Sequence, residues 1–440
     1  MRKLLLTAVT LSGLALSGAG DLGMARAEDG QFFGLLPYRT GPYAPTGIPF
    51  ADGVADYIKL LNERDGGIGG VKILTEECDT AYNTDKGVEC YERLKGKGPT
   101  GSAAFIPLST GLTYALIERT VVDKIPLSTT GYGRTDAGDG RVFPYVFTVP
   151  ASYWTGADVA ISYIAQQEGG FDKLKGKKIA FVHHDSPFGK EPLPVFEALK
   201  QKHGFQFDVF PVAPPGLEQK AVWLRLARQV KPDWTIMWGW GVMNATAIKE
   251  AAANGYKVDH MIGVWWSGSD QDTIAAGDVA KGYKSLAFHA PGATFKVHAD
   301  IKKHLYDAGK GVGDPAAVGT VLYNRGLFNA VVVTEAIRTA QEKYGKKPLT
   351  GEQVRWGFEN LNLTPERLAQ LGVEGFMQPF KVTCADHEAS TAIRIQEWDG
   401  KAWKFVSDWI EPHRDMIRPM IEASAAKFAA EKGVTPRKCD

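Results

Sequence analysis

The fold is decided by residues 32–73, FFGLLPYRTGPYAPTGIPFADGVADYIKLLNERDGGIGGVKI. This stretch predicts a strand over FFGLLP, a loop, a helix from about Ile48 to Asn62, and a glycine-rich turn into a second strand, VKILTEE. The helix is predicted from apolar residues that recur at helical spacing, namely Phe50, Val54, Tyr57, Ile58 and Leu61. A strand, a helix and a second strand in this order are typical of a parallel sheet in an α/β protein.

The same alternation continues along the chain and then begins again. Helices over Thr84–Leu94 and near 112–122 alternate with the strands SAAFIPLSTG and IPLSTTGYG, and a break follows at 142–156. A second run of alternating elements extends from a helix at 156–168 to the strand HMIGVWW at 260–266. A hairpin that turns on Asp399-Gly400 comes later, before an amphipathic helix in the tail. Two similar α/β halves joined at a hinge are therefore predicted.

Residues 1–27 have the features of a cleavable signal peptide. Arg2 and Lys3 precede a short apolar stretch, and the sequence ARA at 25–27 fits a small-x-small cleavage site. We expect an exported protein that begins near Glu28. The leader holds three of the 51 basic residues and one of the 50 acidic ones, so the rest of the chain has a net charge of −1. This balance favours neither nucleic acid nor an anionic membrane surface as a partner.

The four cysteines of an exported chain can pair in three ways. Cys78 ends a predicted strand and Cys90 lies two turns into the next helix, so a disulfide between them is one expectation. It leaves Cys384 to pair with Cys439, which would hold the tail against the body of the protein. Free buried thiols are the alternative.

Four of the 11 tryptophans lie in two short runs, WGW at 238–240 and WW at 265–266, which come near the ends of the stretches DWTIMWGWG (233–241) and HMIGVWWSG (260–268). They are Trp238, Trp240, Trp265 and Trp266. Each run closes an apolar stretch that predicts a buried strand, and open α/β sheets bind their ligands beyond the carboxyl ends of the strands. The two runs indicate either a ligand pocket or large rings that fill the core.

Several segments resemble periplasmic substrate-binding proteins of the leucine/isoleucine/valine-binding family, which serve ABC importers. They are residues 32–73, FIPLSTG, KIPLSTTG, VFTVPASYWTG, KKIAFVHHDSPFGKE and GVWWSG, in that order over about residues 30–410. The resemblance implies a type I periplasmic binding protein: an α/β chain with two Rossmann-like lobes, parallel sheets and a three-segment hinge. It also implies a periplasmic location, a small-molecule ligand and the membrane permease of an ABC transporter as partner.

On this basis the chain divides into a leader, two lobes and a tail. Residues 28–149 with 282–385 form the first lobe, residues 150–281 with 386–411 form the second, and residues 412–440 form a helical tail. We predict no cofactor, no metal site and no catalytic residue, and we expect a monomer.

The resemblance implies ligand-binding roles for loops on both lobes. Two hydroxyl loops of the first lobe would hold a ligand carboxylate at helix N-termini, namely Ser109-Thr110 and Ser128-Thr129-Thr130. The alternative is that these residues only cap helices. The second lobe would supply Phe188 and either Trp238 or Trp240. Where amino-acid binders have an acid that pairs with the ligand's ammonium group, this sequence has Trp265 or Trp266.

Arg325 and three tyrosines complete the predicted site. Arg325 could form a bidentate clamp on a carboxylate, or an ion pair between the lobes. The tyrosines are Tyr38, Tyr43 and Tyr153. Because a tryptophan replaces the acid, we predict a carboxylate ligand without an α-amino group, most simply an aromatic acid of the benzoate or phenylpropanoid type. A branched-chain or other hydrophobic amino acid is the alternative, for which Asp270 is the nearest acid in sequence.

Features of two other classes of protein were looked for in the residues themselves: an enzyme and a sensor. His183-His184-Asp185 at a strand end could belong to an enzyme, but adjacent histidines on a strand point to opposite faces. The sequence contains no HExxH, GxSxG or Walker-type motif, so we expect no enzyme. A sensor with the same two lobes would normally have a membrane-spanning helix and a signalling module.

Overall fold

The computed structural model describes residues 30–439 and builds them around two mainly parallel sheets. The predicted leader, residues 1–27, lies outside the described residues. Within residues 30–439, no helix has both the length and the apolar character needed to cross a membrane.

The first sheet has five parallel strands in the order β2-β1-β3-β4-β5. Its elements are β1 (Gln31–Leu36), α1 (Ala44–Asp65), β2 (Ile73–Glu77), α2 (Thr84–Leu94), β3 (Phe105–Pro107), α3 (Thr110–Asp123), β4 (Leu127–Ser128) and β5 (Val146–Phe147). Helix α1 begins before the predicted Ile48 because Pro45 in its first turn has no N–H to leave unpaired. It ends at Gly66, whose φ of 69° is the left-handed conformation that glycine adopts easily.

The second sheet has seven strands, of which the first five along the chain are parallel. The elements of this region are α4 (Tyr153–Glu168), β6 (Lys178–His184), α5 (Pro187–Lys190), α6 (Leu193–His203), β7 (Gln206–Val212), α7 (Lys220–Arg225), β8 (Trp234–Trp238), α8 (Val242–Ala253), β9 (Met261–Gly263), α9 (Asp270–Ala276) and β10 (Lys284–Ala287). Strand β9 is shorter than predicted, because the chain turns at Val264 and Trp265–Ser267 form a 3-10 turn.

One predicted lobe boundary is wrong. The sequence assigned residues from 282 onward to the first lobe, but β10 pairs with β9 and thus belongs to the second sheet. β10 is an inner strand of that sheet, because β13 (Arg394–Trp398) pairs with its other edge. The chain therefore returns to the first lobe after Ala287. The remaining limits of the lobes stay a proposal.

The returning segment packs on the first sheet. It contains α10 (Lys296–Ile301), α11 (Val321–Tyr344), α12 (Gly351–Glu359), β11 (Asn362–Leu363), α13 (Pro365–Leu371) and β12 (Phe380–Lys381). Helix α11 crosses α1 at two glycines. A Cβ at Gly326 would lie 1.9 Å from the carbonyl oxygen of Phe50, and one at Gly53 would lie 2.0 Å from that of Tyr323. This close crossing buries the first turns of α11 in the interior.

The last elements join the two lobes and the tail. They are β13 (Arg394–Trp398), β14 (Trp403–Phe405) and α14 (Arg414–Lys432). β13 and β14 form the predicted antiparallel hairpin, in which the carboxylate of Asp399 accepts a hydrogen bond from the N–H of Ala402 at 2.9 Å. The disulfides join Cys78 to Cys90 and Cys384 to Cys439. Of the three possible pairings, this is the one that the sequence predicted.

Candidate functional site

The candidate site is a cavity between the two sheets, at the carboxyl ends of their strands. Its empty space is about 260 Å³, a volume that includes solvent at its open side. The lining residues lie in the segments that follow the five strands of the first sheet and the strands β6, β8 and β9 of the second. The lining residues are Tyr38, Tyr82, Leu108, Ser109, Thr110, Tyr132, Tyr153, Phe188, Trp240 and Trp266. A crevice at this position is where open α/β sheets bind their ligands.

One side of the cavity is the N-terminus of α3. Ser109 is the N-cap residue, and its Oγ accepts a hydrogen bond from the N–H of Leu112 at 3.3 Å. The first intrahelical bond runs from the N–H of Thr113 to the carbonyl of Ser109 at 2.9 Å, so the N–H groups of Thr110 and Gly111 have no partner within the helix. Such a helix end attracts an anion through its free N–H groups and its dipole.

The other walls are aromatic. The rings of Trp240 and Trp266 pack edge to face, with their centroids 5.4 Å apart. The ring centroids of Tyr153 and Phe188 are also 5.4 Å apart. Burial raises the pKa of the Tyr38 and Tyr153 hydroxyls well above the usual value, so both stay protonated at neutral pH. None of the ten lining residues carries a charge. The cavity therefore offers flat apolar surface together with neutral hydroxyl groups.

Hydrogen bonds cross the cleft beside the cavity. The indole Nε1 atoms of Trp265 and Trp266 both donate to the carbonyl oxygen of Gly131, at 2.7 and 3.0 Å. The hydroxyl of Tyr43, at the start of α1, bonds Nε2 of His184 at the end of β6 at 2.8 Å. These contacts hold the lobes together, so the structure represents a closed cleft.

His184 is buried, and both of its ring nitrogens have hydrogen-bond partners. Its Nδ1 bonds the hydroxyl of Ser186 at 2.8 Å, and burial lowers its pKa to about 4, which keeps the ring neutral. The neighbouring His183 bonds the carbonyl of His184 and stacks against Phe181. Among residues 30–439, no group of three His, Cys, Asp or Glu side chains is placed to hold a metal ion.

The structure brings together seven of the predicted site residues around the cavity. They are Tyr38, Ser109, Thr110, Tyr153, Phe188, Trp240 and Trp266. The other predicted residues do not line it and form instead a layer beneath or beside it. They are Tyr43, Ser128, Thr129, Thr130, Trp238, Trp265 and Arg325. The ligand-binding role of every one of these residues remains a prediction.

The second hydroxyl loop is turned inward. The Ser128 hydroxyl donates to Oδ1 of Asn329 at 2.7 Å, and the Thr129 hydroxyl donates to the carbonyl of Phe147 at 3.2 Å. The buried hydroxyl of Thr130 has no hydrogen-bond partner in the described part of the chain. None of the three residues lines the cavity, and the backbone turn of this loop at Gly131 accepts the two indole N–H groups across the cleft.

The predicted carboxylate clamp is also placed differently. Arg325 is fully buried on α11, where its Nη1 donates to the carbonyl oxygen of Trp265 and its Nε donates to Nε2 of His289 at 3.1 Å. The carboxylate of Asp270 does not line the cavity and accepts a hydrogen bond from the backbone N–H of Val321 at 2.7 Å. It stands at the N-terminus of α11, where the helix dipole favours a negative charge.

Sequence reasoning missed three lining residues, Tyr82, Leu108 and Tyr132. Tyr82 lies in the loop after β2 with a φ of 58°, and Tyr132 follows the Gly131 turn after β4. The rule that ligands bind beyond the carboxyl ends of strands would have selected both tyrosines.

The comparison with protein families agrees with this architecture. The sequence model of the family described as periplasmic binding protein matches residues 31–402. The chain belongs to this family. A curated relative, the Leu/Ile/Val-binding protein BraC3 of Rhizobium johnstonii, is 22% identical over 356 residues, which cover 77% of this chain and 86% of the relative. The predicted family resemblance and the predicted fold are confirmed.

Solved structures superpose on most of the chain. One from the Pseudomonas fluorescens group, described as an ABC transporter permease, is 47% identical, covers 94% of this chain and 100% of its own, and has a TM-score of 0.87. A structure described as a branched-chain amino acid ABC transporter from Thermus thermophilus with bound valine is 23% identical, covers 89% of this chain and 99% of its own, and has a TM-score of 0.75. An R. palustris solute-binding protein in complex with benzoate is 18% identical (87% and 97% covered, TM-score 0.66). This periplasmic binding protein is thus the substrate-binding component of an ABC transporter.

Proposed function

We propose that this periplasmic binding protein takes up a small carboxylate without an α-amino group, and that its ligand is an aromatic acid of the benzoate or phenylpropanoid type. The proposal is carried by the uncharged lining of the cavity. An α-ammonium group enclosed there would have no carboxylate partner, and a buried, unpaired charge is costly. An aromatic ring, in contrast, would meet aromatic rings on several sides.

The carboxylate of such a ligand would bind at the N-terminus of α3. The N–H groups of Thr110 and Gly111 and the hydroxyls of Ser109 and Thr110 are hydrogen-bond donors in one loop. The ring would then lie between Trp240, Trp266 and Phe188. This pose uses a polar end and an apolar body, which is how small-molecule sites fix orientation.

The second candidate is a branched-chain or other hydrophobic amino acid. Its support is the similarity to the valine-bound and Leu/Ile/Val-binding proteins, whereas the benzoate-bound protein supports the aromatic acid. Asp270, the acid that could have served the ammonium group, instead accepts a backbone N–H of α11. We propose further that residues 1–27 direct export to the periplasm and that the loaded protein docks as a monomer on its permease.

A thermal-shift panel tests this proposal. Protein stripped of bound ligand by unfolding and refolding is mixed with benzoate, 4-hydroxybenzoate, 3-phenylpropanoate, leucine, isoleucine, valine or phenylalanine. A ligand that binds only the folded state raises the unfolding midpoint by mass action. We expect a shift with one or more of the three acids, and a shift with amino acids alone would contradict the proposal.

A further inference from the structure

Arg325 is a buried cation that no acidic side chain compensates. It is fully buried, and its guanidinium forms no ion pair with an Asp or Glu among residues 30–439. Burial lowers the pKa of Arg325 to about 9, so the group still carries its charge at neutral pH. An isolated buried charge is expensive and is usually paired. The presence of an unpaired positive charge at this position therefore indicates that the charge has a function.

The neighbours of the guanidinium are all neutral. Nη1 donates to the Trp265 carbonyl and Nε donates to His289, while Nη2 has no partner among the residues that the structure describes. His289 cannot add a charge, because burial lowers its pKa well below the usual value and its Nδ1 bonds the carbonyl of Ala290 at 3.1 Å. Its Nε2 is then the acceptor that receives the Arg325 N–H.

The ring of Trp266 connects this cation with the cavity. The guanidinium carbon lies 4.9 Å from the centroid of the Trp266 ring and 4.8 Å from that of Phe288. Trp266 also lines the cavity, whereas Arg325 does not. A ligand packed against Trp266 would therefore lie one ring away from an uncompensated positive charge. In a closed cleft with few mobile dipoles, such a charge acts over this distance much more strongly than it would in water.

We propose that Arg325 is a specificity-determining residue that makes the cavity prefer a negatively charged ligand, and that it acts across the Trp266 ring without contacting the ligand. This inference rests on the proposed function, because it concerns the same cavity and the same carboxylate. Orientation of the carboxylate and compensation of its charge would then belong to two different parts of the site. The α3 N-terminus would orient the carboxylate, and Arg325 would supply the charge that compensates it.

The test compares each acid with its amide, which lacks the carboxylate charge, in calorimetric titrations of the full-length mature protein. The two pairs are benzoate with benzamide and leucine with leucinamide. The key variant is Arg325→Gln, which loses the charge but can still donate to the Trp265 carbonyl, and the matched control is Arg325→Lys, which keeps the charge. If the glutamine variant does not fold, Arg325→Met of similar length takes its place, since an apolar group often replaces a buried ion without loss of stability.

We expect the ratio of acid to amide affinity to fall at least about tenfold in Arg325→Gln and to be largely retained in Arg325→Lys, while amide affinity changes less than about twofold. A parallel loss for acid and amide would mean that Arg325 only holds the Trp265 turn, and would overturn the inference. An equal affinity for acid and amide in the wild type would overturn it without any variant. Binding of the leucine pair alone contradicts the aromatic-acid proposal, yet the ratio for that pair still decides the role of Arg325.

Discussion

Trp265 in the second lobe donates its indole N–H to the carbonyl oxygen of Gly131 in the first lobe, at a distance of 2.7 Å, without lining the cavity. The φ of Gly131 is 68°, and a Cβ there would lie 2.9 Å from Nε1 of Trp265. Glycine therefore lets the carbonyl turn approach the indole. This bond links the tryptophan turn of one lobe to the hydroxyl-loop turn of the other, so it exists only when the cleft is closed.

Removing this bond should weaken ligand binding although no ligand contact is lost. Trp265→Phe keeps an aromatic ring stacked near Tyr153, at 6.0 Å in the wild type, but has no N–H to donate. A hydrogen bond contributes about 0.5–1.5 kcal/mol net, so we expect benzoate affinity to fall roughly 2- to 12-fold in calorimetric titrations. The control is Trp409→Phe, at a tryptophan that is 36% exposed. Equal affinities for the two variants would mean that the bond does not contribute to closure.

A second contact across the cleft should depend on pH. The carboxyl group of Glu191, after α5, accepts hydrogen bonds from the Tyr114 hydroxyl and from the N–H of Thr135, the latter at 3.3 Å. Burial raises the pKa of Glu191 to about 7, and the nearby Asp136 charge adds to this. The folded protein therefore binds a proton more tightly than the unfolded chain does. The stability from this group is complete below the ordinary pKa near 4.5 and is lost as the pH rises to about 7.

Glu191→Gln removes this dependence, because the amide stays neutral. We expect the unfolding midpoint of the variant, relative to that of the wild type, to rise between pH 5 and pH 8. Glu197→Gln is the matched control, since that side chain is 48% exposed and pairs with Lys200 on the surface. A midpoint difference that stays constant over this range would show that Glu191 has an ordinary pKa.

The two disulfides should stabilise the fold to similar extents. The Cys384–Cys439 bond closes a loop of 55 residues and the Cys78–Cys90 bond one of 12. In the chain-entropy model, loss of either lowers the free energy of unfolding by about 3–4 kcal/mol. Chemical denaturation of Cys384→Ser/Cys439→Ser and Cys78→Ser/Cys90→Ser measures both values. Peptide mapping without reduction checks the pairing, and a cross-linked Cys78–Cys384 peptide would contradict it.

The order of strands and helices could be predicted from the sequence because each element repeats its apolar residues with its own period. The lobe to which β10 belongs could not be predicted, since the sequence SLAF is apolar enough for a strand of either sheet. Only the hydrogen bonds of β10 to β9 and β13 assign it to the second sheet. The disulfide between Cys384 and Cys439 was one of several open pairings, and the fold alone brings these distant residues together.

The candidate site was predictable only as a set of loops. Trp238 and Trp240 are two residues apart and looked equivalent, but Trp238 ends β8 and is fully buried against Tyr153, whereas Trp240 follows the strand and reaches the cavity. The position of Arg325 beneath the cavity could not be predicted for a related reason. Because α1 and α11 cross closely, the first turns of α11 lie beneath the Trp266 ring. No local pattern in the sequence predicts where two helices cross.

The central claim is that the cavity excludes an α-ammonium group, and one pair of ligands tests it most directly. Phenylalanine and 3-phenylpropanoate share the ring, the chain and the carboxylate, and differ only in that group. Calorimetric titration of the ligand-stripped protein gives both dissociation constants under the same conditions. Leucine with 4-methylpentanoate provides the aliphatic counterpart. The uncharged lining predicts that 3-phenylpropanoate binds at least about tenfold more tightly than phenylalanine. Tighter binding of the amino acid in both pairs would contradict the account.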